Sequence, residues 1–79
     1  MSPTIFRYRG YQFSFFSREE DRIHVHVYSA EGEAKFWLEP VISLANYYGF
    51  STKQLNEIQE IVKEHKDEIE KSWKKYFKS

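Results

Sequence analysis

The sequence predicts an α+β fold: a four-stranded antiparallel meander sheet of two hairpins, with one face packed by a short helix and a long C-terminal helix. Two observations predict it. Before Pro40 the apolar residues alternate with polar ones, and after Pro40 they recur every three or four positions. All arginines precede Pro40, and all lysines except Lys35 follow it. With 79 residues, we expect a single domain, 1–79, with the sheet in residues 1–40 and two helices in residues 41–79.

The first predicted hairpin joins residues 4–8 to residues 11–16. A turn at Arg9 and Gly10 sets Tyr8 opposite Tyr11 and Phe6 opposite Phe13. Because side chains alternate across a strand, one face then carries the aromatic residues and the other a mixed set. The aromatic face is formed by Phe6, Tyr8, Tyr11, Phe13 and Phe15, and the mixed face by Ile5, Arg7, Gln12 and Ser14. The polar run 17–22 is predicted to be a loop.

The second predicted hairpin joins residues 23–28 to residues 34–39, with its turn centred on Glu31 and Gly32. This register makes both faces chemically consistent. The apolar face pairs Val27 with Phe36 and Val25 with Leu38, and the polar face pairs Tyr28 with Lys35, His26 with Trp37, and His24 with Glu39.

Two helices are predicted after Pro40. Residues 41–48 form a short helix that Gly49 ends, as glycine commonly does after a last helical turn. Ser51 and Gln54 have the spacing of a capping box, so a helix of about 25 residues begins there. Its apolar stripe places His65 at the edge of the core, and comprises Leu55, Ile58, Val62, His65, Ile69, Trp73 and Tyr76 or Phe77.

Composition narrows the function classes. The chain has no cysteine, which excludes a disulfide framework, a thiolate zinc finger and a cysteine nucleophile. Twelve basic and twelve acidic side chains give zero formal charge, which argues against a protein that holds nucleic acid by bulk charge. No apolar run approaches the roughly 20 residues of a membrane span. We therefore expect a cytoplasmic protein with no membrane partner.

The candidate catalytic and metal-binding residues are His24, His26 and Glu39. Residues two apart on a strand point the same way, so both imidazoles project from one face. Two histidines and a carboxylate resemble the protein part of an open divalent metal site, such as one for zinc. No other cofactor is expected. The main predicted function is a small interaction module, rather than an enzyme, that binds a protein partner through this sheet face. Without metal, His24 against Glu39 has the form of an oriented general base, which is the basis of the alternative function, a small nuclease or other hydrolase.

The same face is also a candidate binding surface. Its predicted binding residues are His24, His26, Tyr28, Lys35, Trp37 and Arg7. Aromatic side chains interleaved with cations anchor protein interfaces, and on sheets they also stack single-stranded RNA bases. The face is alternatively buried in a homodimer, or is an ordinary wet sheet face on which His24 only pairs with Glu39.

Several motifs occur together along the chain. They are Pro3-Thr4-Ile5, the Gly10 hairpin, His24-Val25-His26-Val27, Gly32-Glu33-Ala34, Trp37-Leu38-Glu39-Pro40 and the late Trp73 with Tyr76-Phe77. In this combination the chain resembles, over almost its whole length, the bacterial family of the domain of unknown function 4160. The resemblance implies no established activity. It implies a gene layout like that of toxin–antitoxin pairs, and hence a small, adjacently encoded protein partner, with His24 and His26 either catalytic or at the interface.

Overall fold

The sheet has five strands and lies beside two helices. The computed structural model describes residues 4–15 and 22–77. The strands are antiparallel and neighbour one another in chain order, so the α+β class and the meander order are confirmed, and the prediction of four strands is wrong. The elements are β1 (Thr4–Tyr8), β2 (Tyr11–Ser14), β3 (His24–Tyr28), β4 (Glu33–Trp37), β5 (Ser43–Tyr48), α1 (Thr52–Glu64) and α2 (Lys66–Tyr76).

The register of the first hairpin is confirmed. Tyr8 pairs with Tyr11 and Phe6 with Phe13, whose rings stack with centroids 4.6 Å apart. Arg9 and Gly10 form the tight turn with φ of 54° and 83°. Two successive positive φ values give the turn a twist that matches the twist of the strands. The end of the second predicted strand and most of the predicted loop fall in residues 16–21, outside the described residues.

The second hairpin is shifted by two residues from its predicted register. Val27 pairs with Ala34 and Val25 with Phe36, because the chain turns in the shorter loop 29–32. The Ser29 hydroxyl stabilises this loop by accepting a hydrogen bond from the Glu31 amide at 3.1 Å. A shift of two residues leaves every side chain on its own face. The two predicted faces are therefore confirmed, although the predicted cross-strand pairs are wrong.

Residues 43–48 form the edge strand β5, so the predicted short helix at 41–48 is wrong. Gly49 has a φ of 85°, which resembles the end of a helix, but its role is different. A Cβ atom on Gly49 would collide with the Glu31 carbonyl oxygen, and a Cβ on Gly32 would collide with the Tyr48 carbonyl. Both glycines are required because two backbones meet here.

The predicted long helix is helical but divided at His65. The capping box is confirmed: the Ser51 hydroxyl accepts from the Gln54 amide, and the Gln54 side chain accepts from the Ser51 amide. His65 leaves helical geometry with φ −107° and ψ 17°. Its ring lies 4.5 Å from the ring of Phe6, which confirms its predicted place at the edge of the core.

The core lies between the helices and the inner face of the sheet, which is the face that carries Val25, Val27 and Phe36. The sheet and both helices contribute to one buried apolar cluster: Tyr11, Phe13, Phe15, Val25, Val27, Ala34, Phe36, Leu38, Phe50, Ile58, Ile61, Val62, Ile69 and Trp73. Within the described residues, neither helix is long and apolar enough to cross a membrane.

Candidate functional site

The outer face is the side of the sheet opposite to the inner face. Its residues form three rows across the strands, as the pairings define them. The first row is polar with aromatic members: Arg7, Gln12, Tyr28, Glu33 and Tyr48. Arg7 and Gln12 continue the polar side of the second hairpin across β2 and β1, and the Arg7 guanidinium lies 3.5 Å from the Gln12 side-chain oxygen.

The other two rows contain the histidines. The second row is formed by Thr4, Ser14, His26, Lys35 and Asn46, and the third by His24, Trp37 and Ser43. The structure therefore brings together five of the six predicted binding residues, His24, His26, Tyr28, Lys35 and Trp37, on two adjacent strands, with Arg7 two strands away.

His24 is fully buried, and the expectation that it lies on an uncovered face is wrong. Its ring lies 4.9 Å from the Trp73 ring of α2 and 5.7 Å from the Trp37 ring. Its Nδ1 donates to the Arg22 carbonyl oxygen at 2.8 Å, so the lone pair of the neutral ring is on Nε2. This Nε2 is buried and has no hydrogen-bond partner among the described residues, and the same holds for the Ser14 hydroxyl.

His26 and Tyr28 are partly buried and continue the line of rings along β3. The His26 ring lies 5.3 Å from the His24 ring and 6.4 Å from the Tyr28 ring. Burial, together with the neighbouring His24 and Lys35, lowers the pKa of His26 to about 4. Burial also raises the pKa of Tyr28 to about 12, with a smaller contribution from Glu33. Both side chains are therefore uncharged at neutral pH.

Trp37 is partly buried and contacts two cations. The Arg22 guanidinium carbon lies 4.3 Å from the centroid of the Trp37 ring, and the Lys35 ammonium lies 4.5 Å from it. Such contacts hold long cationic side chains against an aromatic ring. Arg22 is also held by a hydrogen bond from its Nε to the Glu39 carbonyl oxygen at 2.6 Å. A positively charged aromatic patch results, which we call the Trp37 patch and define as Arg22, Lys35 and Trp37.

The predicted pairing of His24 with Glu39 is wrong. His24 pairs with Trp37, and the Glu39 carboxylate accepts a hydrogen bond from the Ile23 amide at 3.2 Å. Among residues 4–15 and 22–77, no group of three or more His, Cys, Asp and Glu side chains is placed to hold a metal ion. The predicted divalent metal set of His24, His26 and Glu39 is thus not assembled, and neither is the predicted pair of oriented base and carboxylate.

Two members of this surface escaped the sequence-based assignment of binding residues. Arg22 precedes the strand, but the observed register continues past β3 through a hydrogen bond from the Leu38 amide to the Ile23 carbonyl at 2.9 Å, which brings Arg22 beside the Trp37 ring. Tyr48 was assigned to a helix and instead ends the first row on β5. The four-residue loop 29–32 sets the register of the second hairpin, and in that register Arg22 lies beside Trp37. The length of this loop is therefore the feature that predicts the position of Arg22.

Comparison with known proteins adds one finding. The profile of the family described as "Domain of unknown function (DUF4160)" matches residues 10–74. No curated protein and no solved structure matches the chain.

Proposed function

Because the chain belongs to the family of the domain of unknown function DUF4160, a description that names no activity, we propose its function from its surface. We propose an interaction module that binds a small protein partner through the outer face. The single observation that carries this proposal is the Trp37 patch, in which an accessible indole is flanked by two cations. Trp, Tyr and Arg are the residues that most often anchor protein interfaces.

Rigidity supports the proposal. Trp37 lies inside the sheet, paired with His24 on one side and with Ser43 on the other. Its ring is therefore held before any partner arrives, and less conformational entropy is lost when the complex forms. Arg22 is held in the same way by the Glu39 carbonyl.

Charge indicates the chemistry of the partner. The Trp37 patch carries two positive charges on a chain of zero net charge, and Arg7 adds a third across the face, whose three rows of described residues contain one carboxylate, Glu33. We infer a partner that presents carboxylates beside an apolar group, since opposite charges steer association and fix the orientation of a complex. A small protein encoded by an adjacent gene, in a toxin–antitoxin-like arrangement, is the partner that we propose.

The test is affinity capture from the source cell with a tagged chain and three variants. Lys35→Glu reverses one charge of the Trp37 patch, and Trp37→Ala removes the ring. Lys53→Glu makes the same charge reversal at an exposed position on α1 and is the matched control. We expect the wild type and Lys53→Glu to retain a stoichiometric small protein, and the two patch variants to retain at least about tenfold less.

The controls separate binding from folding. Circular dichroism of Lys35→Glu should match the wild type, because its side chain lies outside the core cluster. A chain that emerges alone, or equal capture by Lys35→Glu and Lys53→Glu, would contradict the proposal. RNA that is retained at moderate salt and lost after nuclease treatment would replace the protein partner with stacked bases on the same aromatic rings.

A further inference from the structure

The strand β5 leaves one edge of the sheet open. Among the described residues it pairs with β4 on one side and with no strand on the other. An edge strand presents unpaired N–H and C=O groups that can pair with a further strand. The ligand that such an edge takes is therefore an extended backbone.

The large side chains along this edge are apolar or aromatic, and they are exposed. The exposed fractions are 36% for Leu44, 55% for Tyr47 and 73% for Tyr48, and Val41 just before the strand is 67% exposed. Since an aromatic side chain has roughly 200 Å² of surface, the two tyrosines alone expose about 250 Å². Tyr47 and Leu44 lie on the inner face and Tyr48 on the outer face, so exposed aromatic and apolar surface borders the open edge on both sides of the sheet.

The absence of charged residues around β5 indicates which kind of partner covers its open edge. No charged residue occurs between Glu39 and Lys53, in a chain of which 30% is charged. The opposite edge, β1, carries Arg7 and is followed by Arg9. Two copies that pair through identical edges place like residues close together, so a charged edge repels itself and an uncharged edge does not. Charged residues and β-bulges are both usual protections of an edge strand, and β5 contains a bulge but no charged residue.

We propose that a second copy of this chain docks on β5, antiparallel to it, across a twofold axis. The bulge in β5 selects the register. Because Lys35 pairs with Asn46 and Phe36 with Leu44, Ala45 is the extra residue. Leu44 and Tyr47 consequently share the inner face, although they are three positions apart.

A twofold axis between Ala45 and Asn46 places residues of the same face opposite each other in the two copies. It sets Leu44 opposite Tyr47 of the second copy on the inner face and Ser43 opposite Tyr48 of the second copy on the outer face. Directly opposite residues must lie on the same side of a sheet, and this register meets that condition at both pairs. It joins the two sheets into one and leaves the Trp37 patch of each copy uncovered.

The oligomeric state tests this proposal. We expect sedimentation velocity of the full chain to show a monomer–dimer equilibrium between about 5 and about 500 μM, the range for a small interface. Tyr47→Lys should weaken dimerisation at least about tenfold, since lysine on an edge strand opposes pairing. Tyr76→Lys is the matched control, because Tyr76 is similarly exposed, at 46%, but lies on α2. It should dimerise like the wild type.

Disulfide trapping tests the register. The chain has no cysteine, so each introduced thiol is the only one present. A mixture of the Leu44→Cys chain and the Tyr47→Cys chain should form a mixed disulfide under mild oxidation, faster than either chain crosslinks to itself. Opposite Cβ atoms in an antiparallel pair lie about 4.5–5.5 Å apart, so a small backbone movement brings them to the roughly 3.5–4.5 Å that a disulfide spans.

The outcomes are distinct from those of the proposed function. A monomer throughout the concentration range, or equal dimerisation of Tyr47→Lys and Tyr76→Lys, overturns docking on β5. Equal crosslinking of all chain mixtures overturns the register. Lys35→Glu should leave the dimer intact, and Tyr47→Lys should still capture the small protein partner, so either proposal can fail alone.

Discussion

The half-buried imidazole of His26 leads to a quantitative prediction about stability and pH. Burial is the largest cause that lowers its pKa to about 4 from an ordinary value of 6.5, and the nearby His24 and Lys35 add to it. Between these two pKa values the unfolded chain binds a proton that the folded chain does not. The folded state should therefore lose stability as the pH falls from about 6.5, with the loss complete below about 4.

The magnitude follows from the size of the shift. A difference of about 2.5 pKa units is equivalent to about 3.4 kcal/mol at 1.36 kcal/mol per unit. The ring is partly exposed, and solvent screens its interactions, so roughly half of this, about 1.5 kcal/mol, is the expected loss. For a domain of this size the loss corresponds to a melting temperature lower by about 6–12 °C.

Urea unfolding of the wild type and of His26→Gln at several pH values between about 8 and 4 measures this effect. Glutamine cannot titrate, so the difference between the two free energies of unfolding isolates the contribution of His26. We expect the advantage of the wild type to shrink by about 1.5 kcal/mol across this range. The proton NMR titration of the His26 ring gives its pKa directly, and Lys35→Met should raise that pKa. An advantage that stays constant with pH, or a ring that titrates near 6.5, would refute the reasoning.

Two further predictions concern buried positions, and both are measured as the free energy of unfolding in urea. His24→Ala should cost about 2–4 kcal/mol, because the ring is fully buried, whereas His65→Ala at the edge of the core should cost about 1 kcal/mol. Equal losses of stability from the two substitutions would contradict the full burial of the His24 ring. Gly49→Ala should cost at least about 2 kcal/mol and Gly10→Ala about 1 kcal/mol: both glycines have positive φ, but only at Gly49 does the added Cβ meet backbone atoms. A Gly49→Ala variant as stable as Gly10→Ala would contradict the close approach of the two backbones.

The sequence predicted the first hairpin correctly because its turn leaves no freedom. Only Arg9 and Gly10 separate the two alternating runs, and a two-residue turn fixes the register of its hairpin. The second hairpin has a longer polar stretch between its strands. Registers that differ by two residues place identical sets on each face, so alternation predicted the faces and could not distinguish the pairs. The predicted pairing of His24 with Glu39, on which the general-base hypothesis depended, was wrong for this reason.

The burial of His24 could not be predicted from its own strand. Alternation placed it correctly on the face opposite Val25. Its ring is covered by Trp73, which belongs to α2 at the other end of the chain. The sequence identified Trp73 as a core residue but not the part of the sheet that it contacts. A local pattern gives the direction of a side chain, and the packing of distant elements decides whether solvent reaches it.

The segment 41–48 has the largest functional consequence of all the differences. An apolar run of eight residues between a proline and a glycine fits a helix and a strand equally by periodicity. If this segment were a helix, β4 would be the edge strand of the sheet, and Trp37 would have a neighbouring strand on only one side. As the strand β5 it places Trp37 inside the sheet between His24 and Ser43, where the ring is held for a partner. It also makes β5, an uncharged strand that carries Leu44 and Tyr47, the open edge of the sheet. One element thus supports both proposed surfaces: it holds the indole of the first and supplies the open backbone of the second.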